Sequence, residues 1–150
     1  MEERDVEVVS TLCMRSFARS VADTVSEEGV STFSRVADGG AFLGRMKVDN
    51  LMLVAEDDEA IRGVIELKEG RHLAMLFVAP DYQRKGVGKR LLSAALDHAR
   101  VNTVTVRASL SSVPAYKKYG FECTGEVGES AGLTYQPMAL QRDRLLLSAD

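Results

Sequence analysis

His72-Leu-Ala-Met-Leu-Phe-Val-Ala-Pro-Asp-Tyr-Gln-Arg-Lys-Gly-Val-Gly-Lys-Arg-Leu-Leu92 is the stretch that decides the fold. It opens as an apolar strand, Leu73–Val78, bounded by Pro80 and Asp81. Gly86 and Gly88 stand where a helix should begin, and Leu91, Leu92, Ala95, Leu96 and Ala99 continue it to Arg100. A strand, a glycine turn and a helix N-terminus can hold a phosphate through backbone alone. The first N–H groups of a helix lack internal partners, and the helix dipole adds partial positive charge there. Glycine removes side chains that would block the approach. Arg84, Lys85, Lys89 and Arg90 crowd the same point with cations.

Two common phosphate loops do not fit. A Walker loop needs GxxxxGK followed by Ser or Thr, whereas Gly88-Lys89 is followed by Arg90. A dinucleotide fingerprint needs a third glycine, and that position is Leu91. What remains is Gln83-x-x-Gly86-x-Gly88 after the strand. With the strand before it and the amphipathic helix after it, this resembles the pyrophosphate motif of the GCN5-related N-acetyltransferases (GNAT). The resemblance covers nearly the whole chain and is specific from about residue 60 to 121.

Composition agrees with one compact domain over 1–150. A chain of 150 residues buries roughly 68–70% of its unfolded surface. Apolar content of 45% and charge of 27% are ordinary for a globular protein. A net charge of −3 argues against nucleic-acid binding, so the cations at 84–90 mark a local site. Cys13 and Cys123 lack metal-ligand spacing and read as two buried thiols, with a single disulfide as the alternative; no metal is expected. Glu2-Glu3-Arg4-Asp5 is no signal peptide, and no apolar run approaches ~20 residues. The expectation is a cytoplasmic protein, with no membrane partner, as a monomer or homodimer.

In chain order, Asp5 is placed to cap a helix over Val6–Arg19, with a linker at Ser20–Thr24. Ser26 opens a second helix, weakened by Gly29, whose pattern continues through Thr32, Phe33 and Val36 to Gly39-Gly40, and a short helix spans Ala41–Met46. Strands follow at Leu51–Glu56 and Ala60–Leu67, then a turn at Lys68–Arg71 and the strand from His72. Asn102 is a candidate left-handed cap for the glycine-motif helix. Thr103–Ala108 alternates as a strand, and Ser111 or Ser112 caps a helix through Tyr119 before Gly120. Phe121–Val127 and Thr134–Gln141 are the last strands, around a loop at Gly125–Gly132. Pro137 implies an edge position or a bulge.

The order implied by the resemblance is an α/β (α+β) fold. A mixed, mainly antiparallel sheet is flanked by helices, with the family's first strand short or missing before Asp5. The implied co-substrate is acetyl-coenzyme A. Its diphosphate falls to Gln83, Arg84, Lys85, Gly86, Val87, Gly88 and Lys89, and its pantetheine arm to the backbone at Phe77 and Val78. Tyr116 in Tyr116-Lys-Lys-Tyr119-Gly120-Phe121 matches the family's YxxxGF leaving-group acid. Tyr119 reads as core. Ser109 stands where the family often carries Asn, and can still hydrogen-bond the cofactor.

Three sources of a base stay open: His72, Glu66 or water. His72 lies eleven residues before Gln83, where some relatives carry Glu, and histidine titrates near neutrality. A regular turn at Lys68–Arg71 would pair His72 with Leu67 and place His72 and Glu66 on opposite faces, an arrangement a bulge would overturn. The acceptor walls fall to Val25–Gly29 and Tyr135. The implied activity is acetyl transfer to a primary amine, of a small molecule or a peptide. The alternatives are a non-catalytic acyl-coenzyme A module and a general nucleotide binder.

Overall fold

The computed structural model describes residues 1–21 and 25–143. Three helices come first: α1 (Val6–Ser20), α2 (Glu27–Val36) and α3 (Gly39–Met46). Then come β1 (Asn50–Asp57), β2 (Ala60–Lys68), β3 (His72–Val78), α4 (Val87–Leu96), β4 (Thr103–Ala108), α5 (Val113–Tyr119), β5 (Glu122–Cys123), β6 (Gly128–Ser130) and β7 (Leu133–Gln141). Strand order is β1-β2-β3-β4-β7-β5, with β6 also paired to β7. Only β3 and β4 are parallel, so the sheet is mixed and mainly antiparallel, as expected.

The sheet has a core on each face. On one, α4 lays Val87, Leu91, Leu92, Ala95 and Leu96 against Ile65, Leu67, Leu73, Val104 and Val106. On the other, Val9, Leu12, Phe17, Phe33 and Phe42 from α1–α3 cover Met52, Val64 and Met75. The rings of Phe17 and Phe33 stack at 4.1 Å, and Phe33 meets Phe77 edge-on at 5.3 Å, tying α1, α2 and β3 together. Gly29 lies inside α2, where its lack of a side chain serves packing. A Cβ there would lie 2.3 Å from the carbonyl oxygen of Gly132, so only glycine lets α2 pack onto the β6–β7 turn.

No strand precedes α1 among the described residues; Glu3–Asp5 forms a 3-10 turn instead. Asp5 does not cap α1, because its Oδ2 is turned back to accept from the Glu2 N–H at 2.8 Å. The linker expected at Ser20–Thr24 starts with Ser20 inside α1, and 22–24 lie outside the described residues.

The glycine-motif helix ends at Leu96, not Arg100. The Arg100 N–H donates to Gly70 at 2.9 Å and its guanidinium grips Asp49 at 2.7 Å, which pulls the chain off the helix axis. Asn102 is therefore no helix cap, and donates to Gln141 instead. Ser112 likewise does not cap α5; its hydroxyl donates to the Ser109 carbonyl at 2.8 Å.

The strand expected over Phe121–Val127 shrinks to Glu122–Cys123, and β6 forms inside the expected Gly125–Gly132 loop. Pro137 explains the first change. It sits within β7 between β4 and β5, not at an edge, and its carbonyl accepts from Thr124 N at 3.0 Å. The return bond needs an N–H that proline lacks, so the β5 ladder stops there.

The β2–β3 turn is irregular. His72 pairs with Lys68 and Leu73 with Leu67, but Glu66 pairs with Met75, so Ala74 is an extra residue. Leu73 packs in the α4-side core and Met75 in the opposite one, although two residues apart. The turn register overturns the opposite-face expectation: His72 pairs with Lys68 rather than Leu67, and Lys68 and Glu66 alternate onto one face of β2, so His72 and Glu66 point to the same face, the one covered by α1–α3.

Candidate active site

The site begins where β3 and β4 part. Their parallel ladder holds only His72↔Thr105 and Leu73↔Val106. Beyond it β3 runs on to Val78 and β4 to Ala108 with no pairing between them. Ala79 N donates to Arg62 O at 2.7 Å, on the β2 side. Alternation along an antiparallel strand therefore turns the Val78 backbone toward the gap. The Val78 carbonyl there accepts from Ser16 of α1 at 3.1 Å and from Gln83 Nε2 at 3.2 Å. Its N–H faces the gap free of the ladder. Phe77, by contrast, packs its ring on Phe33, toward the α1–α2 side.

The glycine loop lies at the same end. Gly86, the residue before α4, has φ +82°, a left-handed conformation that glycine adopts without steric cost, and no side chain caps the helix. A Cβ at Gly86 would meet nothing within 4 Å, so the helix entrance is open. Arg84 also adopts a left-handed φ of +66°, a conformation that costs a non-glycine residue about 1–2 kcal/mol. Arg84, Lys85, Lys89 and Arg90 are all exposed, while Val87 and Gly88 are buried at the helix foot. Lys85 and Arg62 lie over the Tyr82 ring at 5.2 and 4.2 Å.

Tyr119 is more than core. It is half-buried, and its hydroxyl would sit 2.6 Å from a Cβ on Gly88. Tyr116 is 6% exposed, edge-on to Tyr119 at 6.0 Å and Phe121 at 5.3 Å. Burial, and then Tyr119, push the Tyr116 phenol above its ordinary range, so it stays protonated. Ser109 is occupied locally: its hydroxyl donates to Ser112 Oγ at 2.9 Å.

The two titratable candidates share a face but not a role. Glu66 is 2% exposed, and both its oxygens take Arg45 Nε at 3.1 Å. Burial raises its pKa and Arg45 opposes that rise. His72 is half-buried beside the gap, with Nδ1 2.8 Å from Thr105 Oγ1. Burial first, then Arg107, Arg71 and Lys68, hold its pKa below 6.5, so the ring is neutral at pH 7.

Cys13 and Cys123 are free, but only Cys13 is buried; Cys123, on the two-residue strand β5, is exposed, contrary to expectation. Burial pushes the Cys13 thiol up to about 12, so it stays an unreactive thiol. A groove of about 360 Å3 between α1 and the ends of β2 and β3 contains none of the residues singled out from sequence. Ser16, Tyr119, Arg62 and Arg107 are contributors the sequence reading missed. Only Tyr119 carried a signal, three residues after Tyr116 on the same helix; the others come from elements distant in the chain.

The family description "Acetyltransferase (GNAT) domain" matches residues 21–142. The chain therefore belongs to the GNAT acetyltransferase family. It is 37% identical over 73 residues to the peptidyl-lysine N-acetyltransferase YjaB of Salmonella typhimurium, covering 48% of this chain and 49% of that protein. It is 30% identical over 77 residues to the uncharacterized N-acetyltransferase YitH of Bacillus subtilis, covering 51% of this chain and 27% of that protein. The match thus spans about half, or less, of the length of these curated relatives. A GCN5-related N-acetyltransferase from Rhodopseudomonas palustris shares the fold with TM-score 0.81 at 24% identity, covering 94% of this chain and 92% of that one. The PaiA N-acetyltransferase of Thermoplasma acidophilum, solved with coenzyme A, does so with TM-score 0.78 at 24% identity, over 94% and 95%.

Proposed function

We propose that the chain transfers an acetyl group from acetyl-coenzyme A to a primary amine. One observation carries this. The β3–β4 ladder ends after two pairs, and the open edge of β3 and the uncapped start of α4 lie at that same end. An extended arm can add to the Val78 edge as a strand would. Its diphosphate can rest on the backbone of Gly86, Val87 and Gly88, with Gln83, Arg84, Lys85 and Lys89 around it. The residues present thus fit this co-substrate, which supplies an activated acetyl group as a thioester. Ser109 borders the gap at the end of β4.

The chain's own groups divide between the two faces. Tyr116 belongs to the α4-side core and holds a proton for the departing sulfur. His72 lies on the opposite face, neutral and able to accept the proton the amine must lose. Glu66 is the weaker candidate for base, because Arg45 already holds its carboxylate. PaiA in complex with coenzyme A supports the choice of co-substrate, and YjaB supports an amine acceptor.

Calorimetric titration of the chain with acetyl-coenzyme A tests the reading, with Gly86→Glu as the variant that places a carboxylate at the helix entrance. Saturable binding that Gly86→Glu abolishes is expected, together with thiol release in the presence of an amine panel. No binding at millimolar cofactor would end the proposal. Binding without thiol release from any amine would leave a non-catalytic acyl-coenzyme A module instead.

A further inference from the structure

Arg107 is the first residue of β4 past its last pair with β3. Thr105, Arg107 and His72 share the α1–α3 face, because Val104, Val106 and Ala108 turn to the α4 side. Arg107 is exposed, and its guanidinium lies over the Tyr135 ring at 4.8 Å. Among the described residues it has no carboxylate partner. Lys68, next to His72 in register, is a second exposed cation without one.

Three carboxylates of the sheet share this face: Glu56 on the edge strand β1, Glu66 and Glu122. Glu66 is already held by Arg45. Glu122 pairs with Ala139, which pairs with Thr105, so it lies two strands from Thr105, roughly 10 Å across the sheet. No ion pair joins it to Arg107. Glu27 and Glu28 stand apart on α2, so at the sheet itself Arg107 and Lys68 flank His72 without a paired carboxylate among the described residues.

An amine reaches this site as an ammonium ion, which two unpaired cations repel. A polyamine offers them nothing in return. A substrate that also carries a carboxylate does, because a guanidinium takes a carboxylate through two parallel N–H donors. Stacking on Tyr135 fixes the plane of the guanidinium and leaves its N–H edge free.

We propose that the acceptor bears a carboxylate close to the amine, as an amino acid does, and that Arg107 binds it. This rests on the acetyl-transfer reading above.

The test uses the full chain and four conjugates. Coenzyme A is joined through an S-CH2-CO bridge to the nitrogen of glycine or of β-alanine, each compared with the matching carboxamide, with free coenzyme A as control. Calorimetry should find at least one carboxylate conjugate bound roughly tenfold tighter than its carboxamide, the scale of a charge-assisted pair. R107Q should erase that difference and R107K keep part of it. Carboxamides bound as tightly as carboxylates by the wild-type chain would overturn the proposal, whatever the variants do. So would a preference that survives R107Q. If free coenzyme A and all conjugates fail to bind, it is the acetyl-coenzyme A reading that falls, and this proposal with it.

Discussion

The two edges of β3 differ in how much of the strand they pair. Toward β2, six residue pairs run from Gly63↔Val78 to Lys68↔His72, interrupted only at Ala74. Toward β4 there are two. The closed edge is backed on both faces: Ile65 and Leu67 against α4, Val64 and Glu66 beneath α1 and α3. The open edge has its polar groups at hand: Val78 backbone, Gln83, His72, Thr105 and Arg107. Identical backbone chemistry thus serves cohesion on one side and is left open on the other, where the proposed co-substrate would add. The difference is set by where the neighbouring strand turns away.

The largest effect should come from the open side. Tyr116→Phe keeps the ring among Tyr119 and Phe121, so unfolding should shift little. It removes only the proton offered to the leaving sulfur, an interaction made mainly in the transition state. A fall in kcat of roughly 10²–10⁴-fold is expected, with coenzyme A affinity unchanged. Turnover within twofold of wild type, where chemistry limits the rate, would make Tyr116 a packing residue.

On the closed side the prediction is thermodynamic. Arg45→Met leaves Glu66, 2% exposed, without its partner. An uncompensated buried charge costs about 3–5 kcal/mol, and the low end applies because Arg45 is 25% exposed. Urea unfolding should show that loss, and Arg45→Met with Glu66→Met should recover most of it. A single variant as stable as wild type would show that the closed edge does not depend on this pair.

The smallest effect concerns His72. Its pKa is lowered in the fold, so kcat/KM should have an acid limb below pH 6.5, and His72→Gln should lose that limb and about 10² in rate. The unfolded chain takes up the proton first as pH falls. The contribution of the neutral ring to stability is therefore full above 6.5 and lost as pH drops through the lowered native value. The urea midpoint of wild type relative to His72→Gln should fall over that window. An unchanged acid limb in the variant would pass the proton to water.

Much of this was legible in the chain. Helix and strand order, the glycine turn at Gly86 and the position of α5 follow from local periodicity and from φ preferences, which neighbouring residues decide among themselves. Tyr116 and the 83–89 loop were picked out as contiguous motifs through the family resemblance. The ends of elements were not. Leu96 rather than Arg100 ends α4 because Gly70 and Asp49, far away in sequence, claim Arg100. The β5 strand stops where Pro137 of another strand has no N–H to give.

The relation between His72 and Glu66 was beyond the sequence as well. Side chains alternate along a strand, so a turn one residue tighter, pairing His72 with Lys68 instead of Leu67, moves His72 to the other face, and no residue type announces it. The sequence by itself determined which elements form and which loop can meet a phosphate, since those depend on short-range sterics and hydrogen bonding. Only the tertiary structure decided that Glu66 is held by Arg45, that β3 and β4 part after two pairs, and that Arg107 faces the gap beside His72. Those facts depend on contacts between elements tens of residues apart, whose register is set when the two cores close on either side of the sheet.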